Sequence, residues 1–151
     1  MKGGSQVNIT IRRMQSSDAD ALYRLLSDPV VMRYLEPPYD RAQAEAFLRR
    51  AGLAEPPLVY AVQEAEHFIG YVIYHDYDED SVEIGWVLSP EYWGRGYASE
   101  LTDRLISWAR KARKGIVIEC VPEQAATAHL ATQKGFRLEG IADGLAVYRL
   151  M

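Results

Sequence analysis

The stretch that most restricts the fold is VEIGWVLSPEYWGRGYASELTDRLISWA, from Val82 to Ala109. It opens with the two-residue period of a strand and passes through Ser89-Pro90, two aromatics and Gly94-Arg95-Gly96. It then enters a helical stripe made by Ala98, Leu101, Leu105 and Trp108, which continues beyond it to Ala112. At about 1.5 Å per residue, a helix running to about Arg113 spans roughly 24 Å, enough to cross the face of a sheet.

Backbone N–H groups at a helix start lack intrahelical partners and carry the positive end of the helix dipole. A loop that bares several of them is an anion cradle. Glycine lets the chain turn and approach a ligand without a β-carbon in the way. Arg95 adds a fixed cation and Ser99 a hydroxyl in the first turn, so WGRGYAS reads as a pyrophosphate site. The plainer reading, two glycines turning a corner beside a solvated arginine, stays open at this point. A P-loop does not fit, because Gly96 is followed by Tyr97-Ala98-Ser99 instead of Lys-Ser/Thr. A dinucleotide fingerprint would take Ser99 as its third small residue and Glu119 as its distal acid. However, SPEYW intervenes between strand and glycines, and the upstream strands are antiparallel in type.

The flanking sequence supplies a mixed sheet. Val7, Ile9 and Ile11 alternate as a half-buried strand, and Ser17 with Asp20 has capping-box spacing before Leu22, Leu25 and Leu26. Asp28-Pro29 starts a short helix, and Asp40 caps another that Gly52 ends. PLVYAVQE, HFIGYVIYHDY and SVEIGWVLS then read as an antiparallel meander. After the long helix, GIVIECV is apolar on both faces, as a central strand is. EQAATAHLATQKG is a helix stopped by Gly135, and FRLEGIA with LAVYRLM forms a hairpin turning at Asp143-Gly144. The class is α+β: a mixed, mostly antiparallel sheet of about seven strands flanked by about four helices. Length argues for one domain over 1–151, with residues 1–5 a floppy start.

Composition narrows function by exclusion. A net charge of −4 argues against a general nucleic-acid binder and suits a cationic substrate such as an amine. No apolar run approaches a membrane span, and the first residues lack a secretory core, so a cytoplasmic protein is expected. One cysteine, Cys120, rules out an internal disulfide, and it alternates with Glu119 as a buried thiol should. His67, His75 and His129 have no metal-ligand spacing, so no metal is expected.

VEIGWVLSPEYWGRGYASE closely resembles the acyl-CoA signature of the GNAT N-acetyltransferase superfamily, in particular its branch similar to the ribosomal-protein N-terminal acetyltransferases. The superfamily pattern Gln/Arg-x-x-Gly-x-Gly/Ala falls on Trp93 to Ala98, with Trp93 replacing Gln/Arg. A second block, typically Asn-x-x-Ser followed by Lys-Leu-Gly-Phe, is matched more loosely by QAATAHLATQKGF, with Gln124 and Thr127 at the Asn and Ser positions. The resemblance covers nearly the whole chain. It implies acetyl-CoA as donor, with the pyrophosphate on the N–H groups of Trp93, Gly94, Arg95, Gly96, Tyr97 and Ala98, beside Ser99. It also implies a pantetheine arm paired like an extra strand near Val87 and Leu88, in a gap where a parallel strand pair splays. Tyr92 and Trp93 would pack the loop against the cofactor or simply fill core. Relatives often dimerise, and the final strand could serve a homodimer here.

The implied reaction is direct attack of an amine on the thioester carbonyl, with an oxyanion donor at the Val87 or Leu88 N–H. The acceptor would be a protein N-terminus or a small molecule. Glu83 and Glu119 interrupt otherwise apolar strands, and burying an unpaired carboxylate costs several kcal/mol, so both are candidates for the base. A strand-end glutamate reaching solvent or an arginine is the structural alternative for each. Tyr34 and Trp86 are candidates to line the acceptor pocket, or to pack in the core. Where many relatives carry a general-acid tyrosine, this chain has Ala131. That departure motivates the alternative function, a non-catalytic acyl-CoA sensor or regulatory module.

Overall fold

The computed structural model describes residues 8–151. The expected floppy start and the first strand residue, Val7, lie outside the described residues. Strand β1 (Ile9–Arg12) leads into α1 (Ala19–Leu26), α2 (Pro29–Met32) and α3 (Arg41–Phe47). Asp28 caps α2 by accepting from Val30 N–H at 2.9 Å, with Pro29 preset in the first turn. Asp40 and Gln43 cap α3 reciprocally, each side chain accepting the other's backbone N–H at 2.8 Å. The end of α3 widens into a π-turn, Leu48–Gly52, closed by Leu53 N–H to Leu48 C=O at 2.8 Å.

The capping box expected at Ser17 and Asp20 lies elsewhere. Asp18 accepts from Gln15 N–H at 2.7 Å, because Arg12 draws its carboxylate inward with bonds of 2.9 Å from both guanidinium nitrogens.

The meander is β2 (Val59–Glu64), β3 (His67–Asp76) and β4 (Ser81–Leu88). Helix α4 (Tyr97–Lys111), strand β5 (Gly115–Cys120), helix α5 (Ala125–Gln133) and the hairpin β6 (Arg137–Ala142) and β7 (Leu145–Leu150) complete the chain. Asp143 and Gly144 turn that hairpin with φ of 53° and 81°, the paired positive values of a type I′ turn. The seven strands form one sheet in the order β1-β2-β3-β4-β5-β7-β6. Every neighbouring pair is antiparallel except β4–β5, which is parallel. The final strand is therefore interior, paired on both sides, and the free edge at that end of the sheet is β6. The last strand, which the sequence suggested for a homodimer, offers no free edge.

Strand alternation builds a core on each face. Val72, Ile84 and Ile118 face α4 and α5, meeting Leu101, Leu105 and Phe136. Ala61, Tyr71 and Val87 face α1 to α3, meeting Leu22, Leu26 and Leu48. The buried stripe of α4 is Tyr97, Leu101, Thr102, Leu105 and Ala109, rotated from the expected one. Thr102 tolerates burial because its hydroxyl donates to Ala98 C=O at 2.7 Å. Trp108 sits at the rim, edge-on to Tyr60 and Tyr74 with centroids 5.7 and 5.5 Å away.

Candidate active site

β4 and β5 are hydrogen-bonded at one end only. Their register runs Ser81–Gly115, Val82–Ile116, Glu83–Val117 and stops. Beyond it β4 pairs with β3 alone and β5 with β7 alone, leaving a wedge between two bare strand edges. On the β3 side, Ser89 N–H donates to Ile69 C=O at 2.9 Å and the Val87 carbonyl is directed at Gly70. Antiparallel alternation then turns the peptide groups of Leu88 into the wedge. Of the two expected N–H donors, Leu88 faces the gap and Val87 faces β3. The Leu88 carbonyl is held by the Trp93 indole, whose Nε1–H donates at 2.8 Å.

The chain then crosses from β4 to α4 over a short 3-10 turn, Pro90–Tyr92. Gly94 and Gly96 adopt φ of 69° and 87°, conformations that cost L-residues about 1–2 kcal/mol each. The first backbone bond from outside into α4 is Glu100 N–H to Gly96 C=O at 3.1 Å. Among the described residues, no backbone carbonyl accepts from the N–H groups of residues 94–99. A β-carbon at either glycine would meet nothing within 4 Å, so the space before the cradle is open. Arg95 donates to Glu91 C=O at 3.0 Å and lies over the rings of Tyr92 and Tyr97, at 5.3 and 5.4 Å from their centroids. Tyr97 is in turn buried, with its hydroxyl on Glu64. The expected loop residues therefore converge: a fixed cation and a row of unsatisfied donors at a helix N-terminus. This donor set fits a pyrophosphate, and the bare edge of β4 fits an extended amide chain such as pantetheine.

Gln124 and Thr127 stand at the start of α5, which follows the diverging end of β5 as α4 follows that of β4. Gln124 is the N-cap residue but its side chain caps nothing. Ala131 is fully buried in the α4-side core, so no side chain reaches the wedge from that position.

Glu83 and Glu119 lie on the face covered by α1 to α3. Glu83 is half-buried, with Oε1 3.6 Å from His75 Nε2 on the facing strand. Burial pushes its carboxyl up from the ordinary range; His75 opposes this and Glu119 adds to it. Glu119 accepts from the Tyr77 hydroxyl at 2.7 Å, and this bond drives the Tyr77 phenol up to about 12. His75 and Tyr77 were not foreseen. Their signal in the sequence was faint: alternating polar positions at the end of an apolar strand, in HDYDED. Cys120 points to the opposite side, buried among the α4-facing residues, where burial raises its thiol pKa.

A cavity of about 540 Å3 opens at the far end of β5. It is lined by Met32, Tyr34, Pro37, Val121, Glu36 and Glu123, with further residues of the α2–α3 connection. Tyr34 thus lines a cavity with Val121, two residues beyond Glu119 in the chain, while Glu83 and Glu119 are not among the lining residues. Trp86 lies on the face of β4 opposite to Glu83, packed against the α4-side core. Side-chain alternation accounts for the separation, since Trp86 differs from Glu83 by an odd number of positions.

The sequence comparison agrees with this geometry: the acetyltransferase (GNAT) domain family matches residues 8–137. The chain belongs to that family. It is 30% identical over 145 residues to the N-acetyltransferase p20 of Bacillus licheniformis, covering 88% of this chain and 81% of that one. The crystal structure of a GNAT acetyltransferase from Bacillus anthracis superposes with a TM-score of 0.84 at 24% identity, over 95% of both chains. RimL, a ribosomal L7/L12 alpha-N-protein acetyltransferase solved with coenzyme A, gives 0.81 at 18% identity over 97% of this chain and 96% of its own. The GNAT fold, with its seven-stranded sheet and parallel β4–β5 pair, is thereby established. The protein is an acetyl-CoA-dependent N-acetyltransferase that moves an acetyl group to an amine. The described residues hold five α-helices, each at a place where the sequence marks one, against the rounded figure of about four.

Proposed function

We propose that the acceptor is the α-amine of a protein or peptide N-terminus and that Glu83 is the base that deprotonates it. The observation that carries this reading is the half-buried Glu83 carboxyl, beside His75 and on the same sheet face as Glu119. A carboxylate raised in this way is a better proton acceptor than a solvated one. An α-amine near pKa 8 asks less of such a base than a lysine near 10. The Tyr34 cavity is large enough for the first residues of a peptide: Pro29, Met32 and Val121 on its wall can receive side chains, while Glu36 and Glu123 can face the ammonium end. RimL, which shares this fold, acts on a protein α-amine.

In this reading the cradle from Trp93 to Ser99 holds the pyrophosphate, with Arg95 as counter-charge. Val87 and Leu88 border the pantetheine arm, and the Leu88 N–H faces the thioester oxygen as negative charge develops there. Gln124 and Thr127 border the arm from the α5 side. Glu83 first takes a proton from the ammonium, which frees the nitrogen lone pair. That pair then forms the bond to the carbonyl carbon, and the second N–H proton leaves as the tetrahedral intermediate collapses, matching the charge of the departing thiolate. The C–S bond then breaks, and the thiolate leaves without a general acid from position 131. Its conjugate thiol has a pKa near 8.5, low enough for that departure.

The test is thiol release from acetyl-CoA with three acceptors: the tetrapeptide Ala-Ala-Ala-Phe, its N-acetylated form, and spermidine. Turnover with the free peptide only is expected. Turnover with spermidine and none with the peptide would sink the N-terminal reading.

A further inference from the structure

The two acids are held differently, and the difference assigns them different work. Glu83 faces His75, while Glu119 has no cationic partner among the described residues. One of its oxygens, Oε2, accepts from Tyr77 at 2.7 Å; the other accepts from no described side chain. Tyr77 is itself anchored at both ends. Its backbone N–H donates to Ser81 C=O at 2.9 Å, closing the β3–β4 turn. Its ring lies against Arg149, with the guanidinium carbon 5.9 Å from the centroid. Arg149 cannot swing to Glu119, because it is occupied on three sides. Nε donates to Glu139 at 2.8 Å, Nη1 to Ser81 Oγ at 2.9 Å, and Nη2 lies 3.8 Å from Asp78. The β5–β7 register sets Arg149 opposite Val117 and Val147 opposite Glu119, so the arginine stays two residues back along the strand.

A neutral donor thus fixes the rotamer of Glu119 without cancelling its charge. Farther along the same face, Val121 opens into the Tyr34 cavity. We infer that Tyr77 is a positioning residue that holds Glu119 as an uncompensated anionic clamp for the protonated acceptor amine, on its way from the Tyr34 cavity to Glu83. The inference rests on the acceptor side proposed above, but not on the acceptor being a peptide. Any ammonium group meets the same clamp.

The phenol is partly solvent-exposed, so Tyr77→Phe removes the bond with little loss of packing. Losing the bond frees the Glu119 rotamer, and the expected effect is a rise in KM for the amine of roughly tenfold. The experiment compares wild type, Tyr77→Phe, Glu119→Gln and the double variant, with Ala-Ala-Ala-Phe and with spermidine. The expected pattern is a raised amine KM, a kcat within about twofold of wild type, an unchanged acetyl-CoA KM, and a double variant no worse than Glu119→Gln alone. An unchanged amine KM, a fall confined to kcat, or additive effects in the double variant would overturn it. Turnover of spermidine alone removes the peptide reading and leaves this test intact. Should neither amine be acetylated, glutamate labelled with 13C at Cδ supplies the readout with ethylammonium chloride as probe. The Glu119 resonance, assigned through Glu119→Gln, should move in wild type and not in Tyr77→Phe. A wild-type resonance that ignores the probe overturns the clamp.

Discussion

A β-carbon placed on Gly70 would fall on the carbonyl oxygen of Val87 and lie 2.9 Å from the Leu88 Cα. Gly70 also adopts φ +155°, so its place opposite Leu88 depends on glycine twice over. This close approach is what seats β4 against β3 and leaves the Leu88 peptide facing the wedge. Gly70→Ala should cost about 1–3 kcal/mol through overpacking. In protein that still folds, it should weaken acetyl-CoA binding at least tenfold by tilting that peptide. Thermal unfolding and calorimetric titration read the two effects separately. Wild-type affinity in a destabilised variant would show that Leu88 does not contribute.

Gly96 offers the opposite case, a positive φ with empty space around it. Gly96→Ala should lose about 1–2 kcal/mol to strain alone. Its new methyl group stands before the bare N–H row, so acetyl-CoA affinity should fall by more than tenfold. Gly144→Ala is the matched control, with φ +81° and equally open surroundings in the β6–β7 turn. It should show the strain without the loss of binding. Equal affinities in the two variants would mean that WGRGYA is only a corner.

Glu83→Gln should lower kcat by about a hundredfold or more, the scale of general-base catalysis. In wild type, burial lifts the Glu83 carboxyl above its ordinary value, so the acid limb of the rate profile should lie above pH 4.5. The linked stability effect has the opposite sense. Ionised Glu83 burdens the folded state fully above its raised pKa and not at all below 4.5, where the carboxyl is protonated folded or unfolded. Glu83→Gln should therefore be more stable than wild type at pH 8, with the advantage vanishing as the pH drops through that window. Denaturant melts at several pH values test this, and an advantage independent of pH would contradict it.

The Arg12–Asp18 pair is expected to behave in the reverse way. Burial raises the Asp18 carboxyl, but Arg12 and the Gln15 N–H more than offset it, and the net shift is downward. Its stabilising contribution is present above pH 3.8 and is lost as the pH falls through the lower, folded value. Arg12→Ala should cost about 2 kcal/mol at pH 7, the scale of charge-assisted bonds to a buried carboxylate. The difference from wild type should shrink in acid.

The elements and their order were legible because period, caps and turn residues act locally: Asp28-Pro29, Asp40 with Gln43, and Asp143-Gly144 each do in the structure what their chemistry dictates. The cradle was legible for the same reason, being one contiguous segment. What could not be read was set by register. His75 meets Glu83, and Tyr77 meets Glu119, only because β3, β4 and β5 align as they do. No local pattern encodes that alignment. Trp86 was grouped with Tyr34 as an apolar candidate near the site, and strand parity placed the two on different sides. The Asp18 cap is not written in residue spacing, because Arg12 selects it through a tertiary contact.

The three residue pairs that join β4 to β5 give the molecule a mechanical character. Four strands on one side and three on the other share a sheet by a short seam, like a zip closed at its lower end. An extended ligand lying along the open edges supplies the missing teeth, tying the two halves together along their length. Donor binding should consequently register far from the thioester. Backbone amides on both lips, from Ile84 to Leu88 and from Ile118 to Cys120, should exchange with solvent more slowly once acetyl-CoA is in place.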